Sequence, residues 1–420
     1  MKSDAHYYDI LIVGAGFAGM SAAAAINSKK YKVAVLEKNS EAGKKLLLTG
    51  NGRCNICHNG TIDELLMHYY DSANFLKSSF YSFPPEKLFD FFGRAGITFK
   101  TEDDGRIFPA SNKALEIRNT LLEFLKENNI NVIYKTVVEK LTYNFEKNIE
   151  DSSNLFYLQC GNELYTAKKI IIASGGRSYP HTGSDGSGYS LSAEIGHTLI
   201  TPAPGLAPLI IPENPLAELS GLSFTSANAK IVRNNKIILS QKGELLITHK
   251  GISGPLILDI SRFFINDDCL YISFSGSCFE KEKKACIHFL HENSGKPLKK
   301  ALADYFKLPE RLILLAMKTN GASSSMLCGE TSKEKKTAIL DFILNFKAIP
   351  IKTGFEEAMV TVGGISKNQI NPKTMESRIL KKLFFAGEII DYDGPTGGYN
   401  LYAAFATGML AGRSAGSENV

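Results

Sequence analysis

The 420-residue sequence contains no apolar run of transmembrane length, no low-complexity tract and no fixed-period repeat. Its N-terminus, "MKSDAHYYDILIVGAGFAGM", carries only a short apolar run before Gly14 interrupts it. That run is too short for a signal-peptide core and is followed by no small-residue cleavage site, so a cytoplasmic protein is expected. Neither sign of charge dominates, the formal net charge being +5. The lysine clusters at Lys281–Lys284 and Lys333–Lys336 alternate with glutamate and read as solvated helix faces. No interleaved basic and aromatic surface is legible, so a small-molecule substrate is expected rather than nucleic acid or a membrane. Seven cysteines, an odd number scattered along the chain, fit reduced thiols better than a disulfide framework. Hydrophobic residues at 44% and charged residues at 22% are ordinary globular values, and the length allows roughly two to three domain units.

Against these absences stands one strong local pattern. "YDILIV", Tyr8–Val13, has the length and apolarity of a buried strand. "GAGFAG", Gly14 to Gly19, follows at once, and then the alanine-rich "MSAAAAINSKK". In this strand–G-x-G-x-x-G–helix order Gly14 permits the tight turn, Gly16 lets a pyrophosphate approach the backbone, and Gly19 packs helix on strand. The helix start offers free N–H groups and a favourable dipole to the phosphates. A second strand, "KVAVLEK", ends in Glu37, 18 residues after Gly19, where an acid meets a ribose hydroxyl.

Two distant segments choose among dinucleotides. "KKIIIASGGRS" runs a β-branched strand into Ala173-Ser174-Gly175, and "KKLFFAGEIID" ends another in Gly387-Glu388. A simple nicotinamide-binding fold needs neither, whereas an FAD domain of the glutathione-reductase type uses both. "PTGG" then makes a turn, Asn400 is a candidate N-cap, and the stretch from Leu401 reads as a helix. Its N-terminus suits the N1–C2=O edge of an isoalloxazine, which gains negative charge on reduction.

"GRCNICHNG" is ambiguous by itself. Cys54 to His58 match the C-x-x-C-H pattern of haem attachment, and also a redox disulfide or half of a zinc site. No second Cys or His pair stands at ligand spacing, so no metal is expected. The dithiol is the stronger rival, but such enzymes usually carry a second G-x-G-x-x-G, and none follows Gly19.

"TGNGRCN", "GRIFPAS", "GGRSYPHTGSDGSGY", "GELLITHKGISGP", "MVTVGGIS" and "FFAGEIIDYDGPTGGYNL" together resemble the BaiN/YhiN-like FAD-dependent flavoproteins, also described as NAD(P)/FAD-dependent oxidoreductases or the aminoacetone oxidase family. The resemblance spans Asp9 to Gly412, and "GSDGSGYSLSAEIGH" is also similar to fumarate-reductase-like flavoproteins. It implies an α/β protein with a discontinuous, Rossmann-like FAD domain of the glutathione-reductase type, made of residues 1–197 and 352–420. Between them lies an insertion, β-rich over 198–275 and mainly helical over 276–346. The pattern agrees: Gly221–Ser261 and Cys269–Ser275 alternate apolar and polar residues around turns such as Asn234-Asn235. Phe279–Met317 and Lys333–Phe346 follow helical spacing, and Ile349–Gly364 returns to strands.

The resemblance implies an FAD-dependent oxidoreductase with NAD(P)H as a candidate transient donor. Its cofactor contacts would be Gly14, Ala15, Gly16, Phe17, Ala18, Gly19, Glu37, Lys38, Lys45, Leu46, Gly52, Arg53, Cys54 and Val138 from the first half of the domain. Ala173, Ser174, Gly175, Gly387, Glu388, Gly398, Tyr399, Asn400 and Leu401 complete them, with Arg53 near the pyrophosphate. "GRCN" is then a flavin loop, and Cys57 and His58 are coincidental to it. Tyr179, His181, Thr182, Thr396 and Tyr399 are expected on the substrate side, with His181 as a general acid and His249 as a weaker candidate. An ene reductase of the fumarate-reductase type, a dithiol flavoprotein using Cys54 and Cys57, and a tRNA-modifying flavoprotein remain as alternatives.

Overall fold

Ile10 to Val13 are apolar and buried on both faces, as a strand sandwiched between helices must be. In the computed structural model, which describes residues 5–143, 155–277 and 279–417, this strand, His6–Val13, is central to a seven-stranded sheet. It pairs in parallel with Val33–Leu36 on one side and with Glu163–Ile172 on the other. Asn131–Ile133 extends the first side in parallel, and the short strand Leu383–Phe385 pairs in parallel with Glu163–Ile172. Phe156–Cys160 and Lys140–Tyr143 complete the sheet as antiparallel strands.

The register puts Val13 beside Leu36 and Ile172, and Ile172 beside Phe385. Gly14, Glu37, Ala173 and Ala386 therefore all leave the sheet at one carboxyl edge. Each of those four backbone N–H groups still donates to the neighbouring strand, at 2.8 to 3.0 Å, which locks the ends level. Ligands of open parallel sheets bind at this edge.

Phe17–Ala24 is the helix after the glycine loop, and Tyr399–Ala415 is the C-terminal helix packed against it. A Cβ at Gly408 would strike the carbonyl of Ala18, and one at Gly412 the carbonyl of Ala22. The two backbones meet without side chains between them.

Contacts divide the chain into two units, Met1–Pro204 joined to Met359–Val420, and Gly205–Ala358. The second unit thus begins and ends later than the expected 198–351. The strand Leu199–Gly205 pairs with Val360–Ile365, which draws residues from 199 onward to the first unit.

The second unit contains a seven-stranded sheet whose longest hairpin joins Ser223–Arg233 to Lys236–Ile247. Its turn residues Asn234 and Asn235 have φ of +48° and +60°, the left-handed pair that a two-residue hairpin favours. The helices Phe279–Glu292, Leu298–Phe306, Glu310–Thr319 and Lys333–Leu344 bury a separate cluster that includes Cys286, Leu302 and Ile343. One stretch departs from the expected alternation: Pro255–Ser261 is a helix. Pro255 starts it, where a missing N–H costs nothing, and Leu256, Ile257, Leu258 and Ile260 are all buried.

In the first unit, His197 is buried, its ring edge-on to Phe385 at 4.9 Å. Ser377 Oγ accepts from the Ile379 and Leu380 N–H groups at 3.0 and 2.9 Å. It also hydrogen-bonds His197 Nε2 at 2.7 Å, while the ring's Nδ1 is buried without a partner. Burial holds this imidazole below the ordinary value of 6.5. The unfolded chain then binds the extra proton first, so stability is intact above 6.5 and falls as the pH drops below it. Urea unfolding between about pH 8 and pH 5 should show this loss, and His197→Gln should flatten it. An equal slope in wild type and variant would assign the loss elsewhere.

Candidate functional site

The glycine loop shows three different kinds of glycine. Gly14 has φ of +100°, and a Cβ there would lie 2.7 Å from the carbonyl of Ala173. A Cβ at Gly19 would collide with the carbonyl of Gly14. Gly16 is extended, with φ −75° and ψ −177°, and its Cβ position meets nothing within 4 Å. Gly14 and Gly19 are required by the fold itself, while Gly16 fronts open space at the start of a helix with no acid in its first turn. That space at a helix N-terminus fits a pyrophosphate.

Glu37, 6% exposed, accepts from the Ala15 N–H at 2.8 Å and from both the backbone and side-chain N–H groups of Asn39 at 2.9 and 2.8 Å. The acid is thus fixed between the loop and the end of the second strand, where a ribose would reach it. Val138 is buried two residues after Thr136, whose N–H donates to the carbonyl of Glu37. Lys38 pairs with Asp185 at 2.7 Å. Ser174 Oγ, in the loop after Ile172, is buried with no protein partner, an orphan that a bound cofactor would satisfy.

Glu388 collects a second set of partners. Its carboxylate accepts from Lys45 Nζ at 2.7 and 3.0 Å, from the Thr361 N–H at 2.8 Å and from Ser178 Oγ at 3.3 Å. Leu46 is buried beside this lysine. Gly387, with φ of +74°, brings the acid's loop against Ala18, and its N–H donates to Thr407 Oγ1 at 3.1 Å. The family resemblance marks Lys45 and the end of the late strand marks Glu388, but nothing local pairs residues 343 positions apart.

The start of the C-terminal helix corrects one expectation. Gly398, φ +101°, is the N-cap, and Asn400 lies inside the first turn. Its amide instead clamps the preceding turn, accepting from Gly394 N–H at 2.9 Å and donating to the Gly394 and Pro395 carbonyls at 2.8 and 3.3 Å. Glycine takes the cap because the chain needs a left-handed residue there, which asparagine at 400 cannot supply to position 398. The first turn of this helix holds no acid, so the positive end of its dipole can face a developing anion.

Tyr399 is buried, its ring between His58 at 4.9 Å, nearly parallel, and His68 at 4.5 Å. Tyr69 OH donates to its carbonyl at 2.7 Å. Neither His68 nor Tyr69 was expected here, since no local pattern in "MHYYDS" marks it. His58, set aside as coincidental on sequence, is therefore part of the surroundings of the helix start. Thr396 is half-buried in the turn before it.

Tyr179, His181 and Thr182 lie elsewhere. Asn39 Nδ2 donates to the Thr182 carbonyl at 3.0 Å, and Gly183 rests on Asn39 and Lys38. His181 is exposed, its ring edge-on to Tyr179 at 5.7 Å. This turn is tied to the end of the second strand, whereas Tyr399 is tied to His58 and His68. His249 lies in the other unit on an exposed turn.

Cys54 and Cys57 are fully buried, and burial pushes both thiols up to about 12. A dithiol mechanism needs an accessible thiol of low pKa, and neither cysteine supplies one. Gly52 lies in the short turn before them, and Arg53 donates to Glu102 at 2.7 Å with its guanidinium 4.0 Å from the Phe108 ring centre. The arginine expected at the pyrophosphate is thus engaged by a carboxylate of its own chain.

A glycine loop at a helix start, a buried acid ending the second strand and a late-strand acid on one carboxyl edge, with two acid-free helix starts, fit a dinucleotide-binding flavoprotein. A family model, the HI0933-like protein Rossmann domain, matches residues 8–414. The chain belongs to this family of FAD-dependent oxidoreductases, and it is an enzyme of that class. It is 30% identical to the 3-dehydro-bile acid delta(4,6)-reductase of Clostridium scindens, over 96% of this chain and 98% of that one. It is 28% identical to the ribosomal RNA dihydrouridine synthase of Haemophilus influenzae, over 96% of each. Among solved structures, a 3-ketosteroid delta1-dehydrogenase from Sterolibacterium denitrificans shares the fold, with a TM-score of 0.51, 12% identity and coverage of 98% of this chain and 99% of that one. No helix among the described residues is long and apolar enough to cross a membrane.

Gly16→Val should fold, melt like the flavin-stripped parent and bind no FAD, because its side chain enters open space. Gly19→Val should fail to fold. Absorbance of the purified proteins and their melting curves check both. Alkylation of the native protein at about pH 8 should leave Cys54 and Cys57 unmodified, since a thiol held near 12 is protonated there. Peptide mapping showing prompt labelling of either would restore the dithiol.

Proposed function

We propose that the enzyme is an FAD-dependent reductase of a carbon–carbon double bond conjugated to a carbonyl group. The observation that carries this is the chemistry shared by the two relatives that match almost end to end. A delta(4,6)-reductase acting on a 3-dehydro-bile acid saturates a bond conjugated to a ketone. A dihydrouridine synthase saturates the uracil bond conjugated to a ring carbonyl. When bound, the flavin supplies two-electron hydride chemistry.

The chain's own residues bind and orient. Gly14 to Gly19 receive the pyrophosphate, with Phe17, Ala18 and the Ala15 N–H at the helix start. Glu37 takes the adenosine ribose, with Lys38 and Val138 beside it. Lys45, Leu46 and Glu388 meet the ribityl chain, helped by Ala173, Ser174, Gly175 and Gly387. The helix start at Tyr399 to Leu401 would favour negative charge on the bound ring. Asn400 holds the preceding turn, and the buried Cys54 backs the flavin loop. NADH or NADPH serves as a transient electron donor.

The Haemophilus relative supports a specific variant of this reading, in which uridine in ribosomal RNA is the substrate. Anaerobic titration with NADH and NADPH should bleach the flavin of the purified protein. Stopped-flow mixing of the reduced protein with a steroid 4-en-3-one, with ribosomal RNA and with fumarate then separates the readings. Reoxidation by the enone or the RNA is expected and selects between them. Reoxidation by fumarate alone, or by none of the three, would overturn the proposal.

A further inference from the structure

A three-stranded sheet in the first unit sets His58 directly opposite Arg106, and Cys57 opposite Ile107. The hairpin from Phe99–Thr101 to Arg106–Pro109 carries Glu102 and Asp104 at its tip. Arg53 Nη1 meets one oxygen of Glu102 at 2.7 Å, and Arg106 Nη2 meets the other at 3.2 Å. One carboxylate is therefore gripped by two guanidinium groups, one per oxygen. Both guanidiniums rest on Phe108, at 4.0 and 5.8 Å from its ring centre, and Phe108 is fully buried. A rigid aromatic floor fixes where the cations sit. Arg106 also pairs with Asp104 at 2.6 Å.

The grip is open to solvent: Arg53, Arg106 and Glu102 are 34%, 35% and 29% exposed. It is also close to the proposed reaction centre. His58 faces the carbonyl of Asp104 at 3.1 Å through Nε2, and its ring lies on Tyr399, the first residue of the C-terminal helix. A half-exposed arginine pair does little for stability, yet it is the arrangement that binds an oxyanion through two parallel or converging N–H groups.

We propose that Arg53 and Arg106 form an anion-binding site for the substrate, and that Glu102 is an intrachain surrogate which a carboxylate or phosphate displaces. The assignment to the substrate rests on the reductase reading above; the anion site itself does not. Glu102 competes because its hairpin keeps it at high effective concentration. A ligand must overcome that competition, which makes the grip selective for substrates bearing an oxyanion at a fixed distance from the double bond.

The test is calorimetric titration of the flavin-loaded protein with inorganic phosphate and, separately, with acetate. Glu102→Gln removes the charge that both arginines share, leaving Asp104 on Arg106, and should tighten binding by about tenfold, the equivalent of one lost charge-assisted contact. Arg106→Gln in the Glu102→Gln background should abolish that gain, as should Arg53→Gln. Arg106→Gln decides if the Arg53 variant loses flavin, since only Arg53 adjoins the flavin loop. Tighter phosphate than acetate points to a phosphate-bearing substrate, and the reverse to an organic acid. Unchanged affinity in Glu102→Gln, or a gain that survives Arg106→Gln, would overturn the site. Anion binding with the expected mutant pattern but no enone or RNA reduction would keep this site and defeat the reductase reading instead.

Discussion

The whole site depends on the approach of two backbones. Gly408 and Gly412 present a side-chain-free face to Ala18 and Ala22, and any larger residue would meet a carbonyl oxygen. This contact brings the last helix of the chain onto the first one. Without it the glycine loop at Gly14–Gly19 and the helix start at Tyr399 would belong to separate parts of the molecule. With it, two acid-free helix N-termini serve one edge of one sheet. The late strand Leu383–Phe385 uses the same economy, since Gly387 turns against Ala18 and sends Glu388 to Lys45. Small residues therefore do the positioning, and the polar groups then act over short distances.

That division explains what the sequence could disclose. Strand Tyr8–Val13, the glycine loop, Glu37 and the strands ending at Ala173 and Ala386 are legible because each is a local pattern. A buried parallel strand is a continuous apolar run, and a turn that needs a positive φ shows as glycine. The hairpin at Asn234-Asn235 is legible for the same reason. Partnerships across the chain are not. Lys45 with Glu388, Arg53 with Glu102 and Tyr69 with Tyr399 join residues whose neighbours in sequence give no hint of the pairing.

Asn400 shows how a local rule can mislead. An asparagine just before an alanine-rich helix is a fair N-cap by composition. Two glycines precede it, however, and a left-handed glycine starts the helix earlier than asparagine would. The side chain then has no cap to make and turns back to Gly394 and Pro395, so the same residue stabilises the turn rather than the helix end. The loop of His181 has a partner that no local pattern discloses. Asn39 and Lys38 tie it to the end of the second strand.

The C-x-x-C-H stretch carries the same lesson further. A turn followed by a two-residue strand is enough to yield this spacing. Cys54 ends the turn in a left-handed conformation, φ +63°, and Cys57 points into the core opposite Ile107. Strand alternation then turns His58 the other way, toward Arg106 and the ring of Tyr399. Thiols become reactive when a nearby positive charge or helix start lowers their pKa, and burial here does the opposite. Spacing alone is therefore degenerate among haem, zinc, dithiol and core. What separates them is the dielectric around each side chain, and that is decided by the sheet partner rather than by the motif. Asn55 completes the argument: its amide, oriented to satisfy both neighbours, donates to the Cys57 carbonyl and accepts from the Gly398 N–H, each at 3.1 Å. The loop's polar atoms, not its sulfurs, connect it to the helix start.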